Sequence, residues 1–289
     1  MKKINVVDKI FDAISYLFLS LIGLITVIPF LYVIGTSVAT NKEVLSKGYV
    51  LFPKEGFDFS TYRFVFESGF GIPRGYMVTI FVTLVGTSLG LLITAMLAYG
   101  LSKSSYPGKR VISIMVVMTM LFNGGIIPTY LVVKSLGLIN SVWAMILPTM
   151  CSVWNTMVLI SFFRGIPSTI EEAAKIDGCG YIQIFSKIIL PLSKPALASI
   201  ALFYGVFNWN QWFTAVFYIT DKTKWPLQLI LRQIIYQENT QVETAMEILP
   251  PNLSIKAAAV IIVSLPIMML YPFLQKYFVK GVMIGSVKG

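Results

Sequence analysis

Residues 171–191 read EEAAKIDGCGYIQIFSKIILP, a polar, turn-broken stretch lodged between two long apolar runs. Just ahead of it, Pro167-Ser168-Thr169-Ile170-Glu171 reads as a helix start. Ser168 is placed to cap the exposed N–H groups and Glu171, three residues on, to reach back in a capping box. Glu171 and Glu172 in the first turn suit the positive end of the helix dipole. Ala173 and Ala174 keep one side small, so that another surface can come close. Gly178 and Gly180 supply a stop and a sharp reversal. A second helix is expected from Tyr181 to about Ile189, turning Ile182, Phe185, Ile188 and Ile189 toward the apolar side, with Pro191 ending it. The segment 165–195 is therefore a helix–turn–helix.

Working outward, the rest of the chain is unlike a soluble domain. Of 289 residues, 56% are hydrophobic and only 12% charged, where a soluble domain carries about a quarter charged residues. A bilayer core needs about 20 consecutive apolar residues per helix, and several stretches meet that length. The chain reads as an all-α, polytopic membrane protein. Histidine is absent, which excludes Ser–His and Cys–His nucleophilic sites. The two cysteines, Cys151 in an apolar run and Cys179 in the polar segment, form neither an expected disulfide nor a metal cluster. No GxxxxGK[ST] loop is present to hold ATP. The net charge of +10 is read as a loop bias of membrane proteins rather than as nucleic-acid affinity.

Six spans are expected, at about 11–38, 75–102, 110–134, 142–164, 196–219 and 256–279, within the usual length range. The N-terminal run continues to about Val38 with no small-residue cleavage site, so it is read as a retained helix rather than a signal peptide. Lys and Arg set the orientation. The 103–110 loop holds Lys103, Lys109 and Arg110 with no acid, whereas basic residues of the alternate loops are offset by Glu43, Glu55, Asp58, Glu67, Asp221, Glu238, Glu243 and Glu247. Short basic loops stay inside. Both termini and the 165–195 segment are thus expected in the cytoplasm, and 220–255 outside, the whole forming one transmembrane domain.

Within the spans, Gly86 and Gly90 form a GxxxG spacing, followed by Ala95, Ala98 and Gly100, which lets helices approach closely. Asn123-Gly124-Gly125 and Pro128 interrupt the third span; such breaks are tolerated against protein or a watery cavity. They mark either a pathway-lining segment or a kink. In the outer loop, apolar positions 227, 230, 231, 234 and 235 recur at helical spacing, giving a short helix for the membrane surface or another protein. Trp154-Asn155 and Asn208-Trp209-Asn210-Gln211 place amides and aromatics inside spans four and five. With Asn123 they are read either as lining a substrate path or as interhelical partners and interfacial anchors.

The central segment resembles the coupling motif of ABC-importer permeases: Glu172-Ala173-Ala174, three residues, Gly178, nine residues, then Ile188, Leu190 and Pro191. The likeness to carbohydrate-uptake permeases of the maltose type extends to Leu97-Ala98-Tyr99-Gly100-Leu101-Ser102-Lys103, Pro128-Thr129-Tyr130, Leu136–Ser141, Ile160–Phe163 and Ile166-Pro167. Phe122–Gly125 and Phe207–Asn210 are most similar to the branch associated with complex oligosaccharides and polysaccharides in Gram-positive bacteria. The tail Gly285–Gly289 resembles one that reaches an ATPase interface. The resemblance implies a type I importer permease fold and a second, homologous permease subunit. It also implies two ATPase subunits that bind ATP and Mg, and an extracellular solute-binding lipoprotein delivering a carbohydrate. On it, Glu172, Ala173, Ala174, Asp177, Gly178, Leu190 and Pro191 are the coupling residues, and the chain is no enzyme and holds no cofactor of its own. A secondary transporter would carry ionisable residues within its spans for ion coupling, and these spans have essentially no buried acidic residue. Permeases for other solutes share the motif and remain the nearer alternative.

Overall fold

In the structure, a computed structural model, the backbone is described for residues 6–103, 108–236 and 250–286, and the side chains for 9–103, 108–236 and 250–269. The tail residues 287–289, the 104–107 part of the basic loop and 237–249 of the outer loop lie outside the described residues. Every element of regular structure among the described residues is helical. Three helices are long and apolar enough to cross a bilayer unbroken, and three bent helix pairs bring the number to six.

Chain order gives α1 (Val6–Val38), α2 (Asn41–Lys47), α3 (Ser60–Glu67), α4 (Ile72–Ser102), α5 (Lys109–Leu121) and α6 (Ile126–Ser135). Then come α7 (Trp143–Ile146), α8 (Val153–Arg164), α9 (Ser168–Ile176), α10 (Tyr181–Ile184), α11 (Leu190–Leu192) and α12 (Lys194–Trp209). The last are α13 (Phe213–Tyr218), α14 (Leu227–Tyr236) and α15 (Asn252–Ser286). These residues fall into two compact units, Met1–Phe70 with Leu231–Ser264, and Gly71–Ile230 with Leu265–Gly289.

In the first unit, the loop after α2 lies against α1. A methyl group added at Gly35 would meet the Val50 carbonyl oxygen at 2.3 Å, and the Thr36 hydroxyl accepts from the Val50 N–H at 2.9 Å. Glu43, fully buried, anchors this loop. Its carboxylate accepts from Lys47 Nζ at 2.8 Å and from the backbone N–H groups of Lys54 and Glu55. The hydrogen bond from Lys47, with those from the backbone, holds the carboxyl below its ordinary range.

The second unit is built around α4. The buried residues of this helix, Gly75, Thr79, Val82, Gly86, Gly90, Thr94, Ala98 and Leu101 among them, recur every three or four positions and form one stripe. Small residues there bring neighbours into backbone range, since a methyl at Gly90 would sit 2.9 Å from the Met150 carbonyl oxygen and 3.1 Å from the Tyr204 ring. The GxxxG reading as a packing face fits this geometry. The helix expected in the outer loop forms as α14, but its leading apolar residues are not left for lipid or a partner. Leu227 and Ile230 pack over Gly75, and the Leu227 N–H donates to the buried Thr79 hydroxyl at 2.8 Å.

Three spans are broken. The expected interruption of the third is a bend of 117° between α5 and α6. Gly125 there takes φ +84°, and the Asn123 side-chain oxygen accepts its N–H at 2.9 Å. The fourth and fifth spans are interrupted as well. After α7 the chain tightens into a 3-10 turn, Leu147–Thr149, where Pro148 removes a backbone donor, and α8 restarts 49° away under a Ser152 cap. Between α12 and α13, Asn210–Trp212 leave the helix.

Candidate functional site

The segment 165–195 folds as a hairpin, α9 then α10, and its turn is set by Gly178. The Cys179 N–H donates to the Ala174 carbonyl at 2.9 Å and the Gly178 N–H to that of Lys175 at 3.0 Å. These two bonds form a Schellman motif closing α9. It requires a left-handed residue, and Gly178 has φ +83° with open space where a side chain would begin. At the far side, the Gly180 N–H donates to Gln183 Oε1 at 3.2 Å, so the new helix is capped as it begins. The reversal is thus hydrogen-bonded on both sides.

The expected capping box at Ser168 and Glu171 does not form. Pro167 occupies the cap position, Ser168 is already helical, and no side chain caps the start. Glu171 is instead turned inward and buried, where its Oε1 pairs with Lys103 Nζ at the end of α4. An ion pair outcompetes a cap that water could replace. Lys103 also lies 4.6 Å over the Tyr99 ring. Tyr99 in turn meets Phe185 with centroids 5.1 Å apart and Phe163 edge-on at 6.3 Å. The hairpin is therefore fastened to α4 and α8 by Lys103, Tyr99, Phe163 and Phe185, and its apolar side joins a core with Ala98, Leu101, Leu159 and Ile200.

That anchoring sorts the expected coupling residues. Glu172, Ala173, Asp177 and Gly178 are exposed. Ala174 is buried, so its small size serves packing inside the chain. Ile184 and Ile189 are fully buried, whereas Ile182, expected to face inward, is 83% exposed, because the buried stripe of α10 runs through Ile184. With Tyr181 and Ile176, itself 86% exposed, Ile182 gives the outer side of the hairpin an apolar character. Lys175 Nζ lies 5.2 Å from the Tyr181 ring centroid.

Pro191 does not end the second helix. From Phe185 to Ile189 the backbone widens into a π turn, with the Leu190 N–H reaching the Phe185 carbonyl, and α11 carries Leu190, Pro191 and Leu192. A widened turn relieves the clash between a proline ring and the carbonyl four residues back. The chain then reverses at buried Ser193, entering α12 at 83°.

The polar residues expected along a path separate in the same way. Asn208 is buried, with its Nδ2 donating to Thr87 Oγ1 at 3.5 Å across the closest approach of α12 to α4 at Gly86. Gln211 is buried between Thr149 and Thr214, at 3.2 and 3.1 Å, tying the two span breaks together. Asn155 and Trp209 are buried too. Asn123, Trp154 and Asn210 remain exposed. Asn210 donates to the Val206 carbonyl and accepts from Gln228 Nε2 at 3.0 Å. One residue not anticipated from the sequence is Tyr204. Its hydroxyl accepts the Ser152 N–H freed by the span-four break, at 2.8 Å, and pairs with Thr94 Oγ1 at 2.6 Å. A lone tyrosine in mid-span is the signal that could have found it. No group of His, Cys, Asp or Glu among the described residues could hold a metal.

The helical chain thus carries, before its fifth span, a hairpin anchored to α4 and α8. The pattern of the family described as "Binding-protein-dependent transport system inner membrane component" matches residues 96–284. The chain is 45% identical, over 98% of its length and 99% of the relative's, to the polygalacturonan/rhamnogalacturonan transport system permease protein YtcP of Bacillus subtilis. It is 46% identical to the protein LplC of the same organism, over 97% of this chain and 96% of that one. Among solved structures, a chain of a bacterial ABC transporter involved in import of the acidic polysaccharide alginate superposes with a TM-score of 0.88. The match is at 30% identity and covers 96% of this chain and all of that one. The chain belongs to this family, as a membrane-embedded, non-enzymatic permease subunit with the ABC-importer permease fold.

Proposed function

We propose that the whole chain works as one permease domain, half of the translocation path for an acidic oligo- or polysaccharide in a binding-protein-dependent importer. A second homologous permease completes the path, two ATPase subunits supply ATP, Mg and hydrolysis, and an extracellular lipoprotein delivers the sugar. The substrate class rests on the relatives: one is named for polygalacturonan and rhamnogalacturonan, and the solved neighbour for the acidic polysaccharide alginate.

The hairpin 165–195 is the cytoplasmic coupling element, and one observation carries that reading. Glu171, Ala174 and Ile184 fasten it inward while Glu172, Ala173, Asp177, Ile176 and Ile182 are left outward on a turn bonded at both ends. Such an element transmits displacement, because bending it breaks hydrogen bonds worth about 1 kcal/mol each. Glu172 and Asp177 offer acceptors to the ATPase surface, Gly178 fixes the turn, and Leu190 and Pro191 carry movement into α12. Of the path residues, Trp154 and Asn210 are retained as sugar contacts. The basic 103–110 loop supports both termini lying inside, in a bacterial and Gram-positive cell membrane.

Reconstitution of the chain with its cognate subunits and binding protein tests both halves. Oligogalacturonides are expected to stimulate ATP hydrolysis, and a cysteine at Ala173 to crosslink to an ATPase subunit. Stimulation by neutral oligosaccharides alone removes the substrate class. A hairpin cysteine labelled only from outside removes the coupling assignment.

A further inference from the structure

Helices α5 and α8 pack against each other in the second unit, with open space between and beside them. One cavity of about 580 Å³ is lined by Lys109, Arg110, Ser113 and the apolar side chains of α5. A second, of about 470 Å³, shares Ser113 and Val117 with it and adds Met157, Ser161 and Arg164 from α8. The shared lining joins the two cavities, so three cations border one groove, Lys109 and Arg110 at the start of α5 and Arg164 at the end of α8. Among the described residues no carboxylate pairs with any of them. The lining also holds two hydroxyls, Ser113 and Ser161, and its other side chains are aliphatic or thioether, Val117 and Met157 among them.

We infer that this groove is a binding site for an anionic phospholipid, its phosphate held by Lys109, Arg110 and Arg164 and its acyl chain laid along Val117 and Met157. A lining of cations, hydroxyls and hydrocarbon suits the headgroup and acyl chain of a lipid at the membrane surface, and basic pockets between spans recognise such headgroups. A carbohydrate occupant fits the groove badly, because no aromatic or amide side chain lines it. The site has a mechanical consequence. Arg164 is the last residue of α8, immediately before the chain enters the hairpin, so a lipid phosphate on Arg164 braces the hairpin at its root.

The test is native mass spectrometry of the full-length chain, purified with its partner subunits and incubated with phosphatidylglycerol or phosphatidylcholine. The wild type is expected to retain phosphatidylglycerol selectively. Arg164→Gln is expected to weaken retention about fivefold, and Lys109→Gln/Arg110→Gln/Arg164→Gln about a hundredfold, from the worth of one basic side chain at a lipid surface. Arg164→Lys, which keeps the charge, is expected to retain the lipid and controls for misfolding. Equal retention by the triple variant, or equal binding of phosphatidylcholine, overturns the inference. So does displacement of the lipid by trigalacturonate, which makes the groove part of the sugar path. Loss of the partner permease from the triple variant overturns it as well, since the groove is then a subunit contact.

Discussion

Substitution of Gly178 separates the shape of the hairpin from its surface chemistry. The residue sits at φ +83°, and a side chain built there meets nothing within 4 Å, so any penalty of a small substituent lies in the backbone alone. Holding an ordinary L-residue in the left-handed region costs about 1–2 kcal/mol, which lowers the population of the closed Schellman turn about 5- to 30-fold. Asparagine adopts that region far more readily. Gly178→Ala and Gly178→Val are therefore expected to loosen the turn and Gly178→Asn to leave it nearly intact. The measurement is amide hydrogen exchange of Gly178 and Cys179, whose N–H groups close the motif. Gly178→Asp matches asparagine in shape and differs in charge. If the exposed turn meets an ATPase surface, Gly178→Asp abolishes transport while Gly178→Asn retains it, with both variants inserted in the membrane. Equal protection in the Val and Asn variants refutes the conformational argument. Wild-type uptake by Gly178→Asp refutes the docking argument and leaves the first untouched.

Three further outcomes follow from the same geometry. Tyr204→Phe strips the Ser152 N–H of its partner at the span-four break, so it is expected to destabilise the chain by about 1–3 kcal/mol in thermal unfolding, more than Thr94→Val does. Lys103→Met leaves the Glu171 carboxylate inside without its cation and is expected to free the hairpin to protease. The cost falls below the about 3–5 kcal/mol of a fully buried pair, because the Lys103 side chain keeps 28% exposure. Lys103→Met/Glu171→Met restores protection, whereas equal cleavage of single and double variants removes the ion pair from the account. Glu43 carries a depressed carboxyl, so its anchoring is fully present above its unfolded value of about 4.5 and is lost as pH falls through the lower folded value. Hydrogen exchange at Lys54 and Glu55 is expected to accelerate only in that acid window, and Glu43→Gln to abolish the pH dependence. A transition near neutrality contradicts it.

What the sequence made legible and what it hid follow from the range of the forces involved. Long apolar runs identify spans because the bilayer imposes one length on all of them, and Gly178 declares its turn because the left-handed backbone there favours glycine. The interior of the hairpin was less legible. Ser168 and Glu171 have the spacing of a capping box, yet Glu171 answers to Lys103, 68 positions away, and no local pattern announces that partner. Ile182 and Ile184 are both apolar; which is buried depends on how Phe185 meets Tyr99. The breaks in spans four and five were hidden for a related reason. A broken helix in lipid requires its freed groups to be satisfied; Tyr204 does this for the Ser152 N–H, and Gln211 ties down the Thr149 hydroxyl beside it, both from other segments. Those breaks sharpen the proposed mechanics. In the proposed mechanism a hairpin fastened through Tyr99, Lys103 and Phe163 moves as a unit with the ends of α4 and α8, so displacement is taken up where the helices are interrupted, at 150–152, 193 and 210–212. On the proposed mechanism, stiff hairpin and broken spans are two parts of one lever, and restoring the helix at a break is expected to impede transport as loosening the turn does.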